Sequence, residues 1–153
     1  LGIPNKILYL VIQGDIHYGI DVPAFSDDFD TSRIIASNIW FNWNTYYLGP
    51  EDDFSIAREK MLQACYDLYP SNSSYYQTVS NAWASTGIGS EFYLGNANGD
   101  SILNIQDIIL ILQYVLGNYE LNEFQLFTVD MNQDQTIDVL DIIQVVNSIL
   151  YGI

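Results

Sequence analysis

One feature constrains this chain more than any other: residues 96–150 carry the same pattern twice, 34 residues apart. Asn96, Asn98, Asp100, Asn104 and Asp107 fall on Asp130, Asn132, Asp134, Asp138 and Asp141. The match runs on into apolar positions, with Ile108-Ile109 on Ile142-Ile143 and Leu116 on Leu150. A period of this size, kept at polar and apolar positions alike, marks two copies of one supersecondary unit. Each copy begins with turn-forming Asn and Asp residues and continues with apolar residues at helical spacing. The unit therefore reads as a loop running into a helix, Ile105–Leu116 in the first copy and Val139–Leu150 in the second.

The polar spacing points to a cation. Calcium takes six to eight oxygens at about 2.3–2.6 Å, and a twelve-residue loop supplies them from positions 1, 3, 5, 7, 9 and 12. In loop one these are Asn96, Asn98, Asp100, Ile102 through its carbonyl, Asn104 and Asp107. In loop two they are Asp130, Asn132, Asp134, Thr136 through its carbonyl, Asp138 and Asp141. Leu103 and Ile137, at position 8, are the apolar residues that would tie the two loops together. Asn/Asp clusters also make ordinary turns, but two loops with one ligand spacing and one following helix favour a pair of calcium sites. Loop two presents four carboxylates and loop one only Asp100 and Asp107, so the second site is expected to bind more tightly. Position 6, where a positive-φ turn favours glycine, holds Ser101 and Gln135, which adds strain without removing the site.

This pair resembles a type I dockerin: both loops close on Asp rather than Glu, and each has one following helix. The resemblance covers about 60 residues. It implies attachment of a secreted protein to a cohesin-like partner, with loop positions 10 and 11 and basic helix residues contributing to recognition. Here those positions are Ile105-Gln106 and Val139-Leu140, and the repeats contain no Lys or Arg. The calcium ligands carry over residue by residue; the cohesin-reading residues do not. An apolar face at these positions would meet a different cohesin or other protein, or pack on the neighbouring helical region.

Residues 1–88 read as helices with aromatic-rich faces. Pro4 suits the first turn of a helix through Lys6–Gln13, ended by Gly14, with loop or short extended structure over 14–29. Asp30-Thr31-Ser32 offers caps for a helix through Arg33–Tyr47. Asp53 and Ser55 cap a third over about 55–69, stopped by Pro70, and a fourth covers about 73–86. Gly87-Ile88-Gly89-Ser90 is a short join to the repeat. The expected class is all-α, with a helical-bundle piece over 1–88 and the calcium loop–helix pair over 92–153.

The helical stretch is also similar to a known one. Gly2-Ile3-Pro4-Asn5-Lys6-Ile7-Leu8-Tyr9-Leu10, His17-Tyr18-Gly19, Phe54-Ser55-Ile56-Ala57-Arg58, Ala64-Cys65-Tyr66-Asp67-Leu68-Tyr69 and Val79-Ser80-Asn81-Ala82-Trp83 occur in order. This set resembles the C-terminal part of the helical domain of thermolysin-like zinc metalloproteases. The resemblance implies that the HExxH helix, the glutamate zinc ligand and the transition-state histidine precede residue 1, and that His17 matches a non-catalytic histidine. A catalytic zinc needs three protein ligands and an open position, and one histidine does not supply them. No catalytic residue is assigned in this chain, and zinc is expected only in a full-length parent acting on polypeptide substrates.

Composition limits the rest. Four Lys or Arg against 19 Asp or Glu gives a net charge of −15, which repels phosphate backbones and makes nucleic acid an unsuitable partner. No window approaches the ~20 apolar residues of a membrane span. The single cysteine, Cys65, has no disulfide partner and sits in the apolar helical stretch 61–66, as a buried, unreactive thiol would. The start Leu1-Gly2-Ile3 suggests a mature product or a piece of something longer. Sites of moderate calcium affinity stay filled where calcium is near millimolar, so an extracellular location is expected. The expectation is a C-terminal fragment of a secreted zinc metalloendopeptidase with a calcium-binding attachment module. The alternative is a non-enzymatic, calcium-dependent binding module with a helical spacer.

Overall fold

The computed structural model describes residues 2–100 and 102–152. Its described residues form seven α-helices, one π-helical turn and one two-stranded ribbon. The chain divides into two compact units, Leu1–Pro70 with Ser74–Glu91, and Ser71–Ser73 with Phe92–Ile153.

In the first unit, helix α1 (Ile3–Gln13) starts with Pro4 in its first turn and buries Ile7, Leu10 and Val11. Gly14 ends it at φ 70°, donating its N–H to the Leu10 carbonyl. A Cβ at Gly14 would sit 2.9 Å from the Ala24 backbone nitrogen, so only glycine permits this approach. Strands β1 (Asp15–His17) and β2 (Ile20–Val22) then pair antiparallel, Asp15 opposite Val22 and His17 opposite Ile20. Tyr18 and Gly19 both take positive φ, 50° and 84°, as a tight two-residue hairpin turn requires. This ribbon corrects the all-α expectation for the region. Three-residue strands are too short to show period-2 alternation, and Tyr-Gly is a weaker turn signal than Asn-Gly.

Helix α2 (Phe29–Asn42) begins four residues before Arg33. Its cap is Asp28, which accepts from the Thr31 backbone N–H and hydroxyl at 2.7 and 2.6 Å. Ser32, one of the residues offered as a cap, is instead buried and bonded to both backbone groups of Ser26. The helix loosens into a π-helical turn, Trp43–Tyr47, closed by the Leu48 N–H on the Trp43 carbonyl. That extra residue per turn leaves Trp43 buried with its indole N–H on the Ala57 carbonyl at 2.9 Å. Helix α3 (Phe54–Leu68) is capped by Asp53 and buries Ala57, Met61, Leu62, Ala64 and Cys65. Helix α4 (Ser73–Ala84) stops two residues before Thr86 and buries Val79, Ala82 and Trp83. Trp83, fully buried, points its indole N–H at the Met61 sulfur.

In the second unit, helices α5 (Ile105–Val115) and α7 (Val139–Tyr151) pack together around Ile111 and Val145, both fully buried. A third helix, α6 (Glu123–Val129), precedes loop two and is absent from the sequence reading. Its seven residues are too few to show a helical stripe. Its signal is local: Asn122 and Gln125 cap each other's backbone N–H groups reciprocally. Loop two is thus flanked by two helices, not one.

Candidate metal centres

The loops repeat in their hydrogen bonds as well as in their residues. Both last-position carboxylates, Asp107 and Asp141, are fully buried. Asp107 accepts from the N–H groups of Asn98 (3.2 Å) and Asn104 (2.9 Å). Asp141 accepts from those of Asn132 (3.4 Å) and Asp138 (2.9 Å), the same positions one repeat later, and from Met131 at 2.8 Å. Asn98 and Asn132 each accept from the N–H two residues on, at 2.9 and 3.0 Å, and donate their amides to Asp100 and Asp134. Asp100 and Asp134 in turn receive the N–H groups of Ile102 and Thr136, at 2.9 and 2.8 Å. Asn104 and Asp138 cap helices α5 and α7, each accepting an N–H at 2.7 Å.

Position 1 is where the copies part. Among the described residues, Asn96 accepts from the Gly99 N–H at 2.9 Å. Asp130 accepts instead from the N–H groups of Asp134 at 3.2 Å and Gln135 at 2.9 Å, the latter at the position of Ser101 in loop one. Burial pushes the Asp130 carboxyl up, the backbone donors of Gln135 and Asp134 oppose this, and the charges of Asp141 and Asp134 reinforce it. Gln135 takes φ 68° at position 6, the conformation that favours glycine there, while Ser101 lies outside the described residues. Position 4 is also left-handed in both copies, at Gly99 (74°) and Gln133 (59°).

Each loop is therefore wound by side-chain oxygens turned onto its own backbone N–H groups. The Ile102 carbonyl is engaged too, accepting from the Asn104 amide at 3.2 Å. Among the described residues, no three His, Cys, Asp or Glu side chains gather into a metal-binding group. The oxygen set available in each loop is mixed, with Asn amides and backbone carbonyls beside the carboxylates.

Two residues outside the repeat hold loop one in place and left no mark in the sequence pattern. Gly95, just before it, donates its N–H to the Thr128 carbonyl at 2.9 Å. A Cβ there would meet Val145 Cγ2 at 2.7 Å, so the approach of this segment to α7 needs glycine. Gln125 donates its amide to the Ala97 carbonyl at 2.7 Å.

In the first unit, His17 packs its ring edge-on to Tyr18 and holds Nδ1 3.1 Å from the Ser85 carbonyl and 3.3 Å from its hydroxyl. The Cys65 thiol is buried, and burial pushes its pKa up to about 12. Among the described residues, neither joins a group of three or more His, Cys, Asp or Glu side chains.

Residues 1–88 match the family described as thermolysin metallopeptidase, alpha-helical domain, and the chain belongs to that family. It is 36% identical over 87 residues to bacillolysin of Bacillus caldolyticus and to thermolysin of Alicyclobacillus acidocaldarius subsp. acidocaldarius. It is 30% identical over 86 residues to neutral protease B of Bacillus subtilis (strain 168). These matches cover 56–57% of this chain and 15% of each of those proteins. The chain thus spans a small part of the length of the curated relatives it matches. No solved structure matches it.

Proposed function

We propose that this chain is the helical end of a secreted thermolysin-like zinc metalloendopeptidase, joined to a calcium-folded, dockerin-like attachment module. Residues 1–88 form the first domain and residues 92–153 the second. The family match supports the peptidase half, and three named relatives are bacillolysin, thermolysin and neutral protease B. With a single histidine, bonded to Ser85, the residues of this chain do not fit a catalytic zinc. Peptide hydrolysis in the parent then depends on groups outside residues 1–153.

One observation carries the calcium reading. Asp107 and Asp141 are fully buried, yet residues 92–153 contain no Lys, Arg or His to offset them. Backbone N–H donors and the start of the following helix offset part of that charge, and a cation would supply the counter-charge that no side chain of residues 92–153 provides. The residues that would hold it are Asn96, Asn98, Asp100, Asn104 and Asp107 with the Ile102 carbonyl, and Asp130, Asn132, Asp134, Asp138 and Asp141 with the Thr136 carbonyl. Calcium suits this hard oxygen set. The partner is a cohesin-like or other protein surface, outside the cell, where calcium is abundant. No helix among the described residues is long and apolar enough to cross a membrane.

The test is calorimetric titration of the full chain with calcium. Two bound ions are expected, the tighter lost in Asp141→Ala and the weaker in Asp107→Ala. Absence of calcium binding would remove the attachment-module reading. A casein-cleavage assay of this chain with added zinc should be blank; activity abolished by a zinc chelator would overturn the placement of the catalytic groups elsewhere.

A further inference from the structure

Asn98 stands before Gly99 in loop one, and the pair is the one Asn-Gly in the chain. An asparagine amide is open to attack by the backbone nitrogen of the next residue, and a Cβ on that residue is the usual obstacle. Glycine has none. Gly99 is exposed and holds a φ of 74°. Apart from its chain neighbours, no atom of the described residues lies within 4 Å of where its Cβ would stand, so a ring forming there has room. The equivalent pair of loop two, Asn132-Gln133, differs on each count. Asn132 is only partly exposed, and Gln133 carries a side chain at a φ of 59°. The repeat thus supplies its own unreactive comparison.

Two hydrogen bonds of the closed loop stand against the reaction. Gly99 donates its N–H to Asn96 Oδ1 at 2.9 Å, which occupies the attacking nitrogen. Asn98 Oδ1 accepts from the Asp100 N–H at 2.9 Å, which fixes the amide. Both bonds are exposed, where local opening is cheap, so the reactive state is the loop with these two released. The Gly99 nitrogen then bonds to Asn98 Cγ while the bond from Cγ to the side-chain nitrogen breaks. Ammonia leaves, taking the Gly99 N–H proton, and a five-membered imide closes. Water adds to one imide carbonyl and reopens the ring. Cleavage at the side-chain carbonyl leaves an aspartyl residue, and cleavage at the main-chain carbonyl leaves an isoaspartyl one. No oxidant or reductant is needed.

We propose that Asn98 is a site of spontaneous deamidation, controlled by the opening of loop one. The two products act on the loop in opposite ways. Asn98 Nδ2 donates to Asp100 Oδ2 at 2.9 Å. An aspartyl residue at 98 replaces that bond with two like charges, which repel one another and add a ligand charge for a cation. An isoaspartyl residue instead routes the backbone through the side chain, lengthens it by one carbon and draws the Gly99 N–H away from Asn96. The consequence for cation binding rests on the reading of loop one as a calcium site; the chemistry at Asn98 does not.

The full chain is kept warm at pH 8 with chelator or with calcium, and peptide mass spectrometry follows the amide-to-acid change at Asn98 and Asn132. In chelator Asn98 should react at least about tenfold faster than Asn132, a ratio set by the missing side chain at Gly99. Equal rates, or an unchanged Asn98, overturn the proposal. Gln133→Gly places glycine in loop two at a backbone angle that already favours it, so Asn132 should gain the fast reaction. An unaltered Asn132 rate in that variant overturns the role of the glycine. Gly99→Ala should slow Asn98 by the same factor, with circular dichroism verifying the fold. Calcium in excess of its Kd should slow Asn98 at least about tenfold, because it binds the closed loop. Calorimetry on the same samples separates the two failures. No calcium binding strikes the calcium reading and leaves the reaction in chelator as the test of Asn98, whereas calcium that binds at loop one without slowing Asn98 overturns its control by loop opening.

Discussion

Asp107 and Asp141 do two jobs with one carboxyl group. Each closes its loop by accepting backbone N–H groups, and each completes the capping box of the helix that follows. Asp141→Asn keeps an acceptor oxygen but removes the charge. It should therefore leave helix α7 in place while weakening calcium binding at loop two about tenfold or more, in line with the dependence of affinity on ligand charge. Calorimetry paired with circular dichroism reads both effects. In the first unit, the acidic residues that matter are caps and turn ties. Thr31 holds Asp28, and Lys60 with the Gly49 N–H holds Asp52, so that both carboxyls titrate below their ordinary range. Their charged forms are favoured by folding, and the resulting stability is complete at neutral pH. It drains away as pH falls below about 4, through the folded pKa values. Urea midpoints at pH 7 and pH 3 should show the loss, and Asp28→Asn/Asp52→Asn should flatten it. Cys65 gives a second readout of the same unit. With its pKa raised to about 12 by burial, its reaction with a disulfide reagent at pH 8 should be slow in the native chain and fast in denaturant. Rapid native labelling would contradict the packing of α3.

Helices with caps and long apolar stripes were legible in the sequence; elements made by context were not. Asp53 and Pro70 bracket α3 in the sequence, and the helix runs between them. The start of α2 was displaced because Asp28, Asp30, Thr31 and Ser32 are all competent caps, and only the burial of Ser32 against Ser26 decides among them. The π-helical turn exists to seat Trp43 against Ala57, a tertiary demand with no local signature. Helix α6 escaped because seven residues carry too few turns for a period. Its dependence on local caps makes a prediction: Asn122→Ala should cost about 1 kcal/mol, read as a lowered urea midpoint of the second unit. Gly95→Ala should cost more, because its Cβ would meet Cγ2 of the fully buried Val145 at 2.7 Å and at a φ of 87°, and Val145 cannot move away without disturbing the α5–α7 core. The polar positions of both loops were legible through the repeat itself. Their hydrogen bonds were not, since turns of Asn and Asp can close in several ways.

The two units differ in what they rest on. The first has a core built around Trp43, Met61 and Trp83, and it carries all four Lys and Arg of the chain. The second has a smaller core, eight carboxylates and no internal counter-charge. Calcium should accordingly raise the melting temperature of one transition and leave the other in place. A ligand at 100 times its Kd adds about 2.7 kcal/mol per site to the state that binds it. Scanning calorimetry with calcium and with chelator would show this as separation of two peaks; a joint shift of both would mean that the units melt as one. The family match covers residues 1–88, so the same experiment, run on residues 92–153 expressed alone, tests whether the calcium response belongs to the repeat.

The doubled loop also has a genetic consequence. Asn104 and Asp138 occupy the same position and accept the same helix-capping bond at the same 2.7 Å. Asn and Asp codons differ by a single base. Mutation can therefore add or remove a carboxylate at this position while keeping the cap, so the charge of each loop can drift separately while the fold is inherited intact.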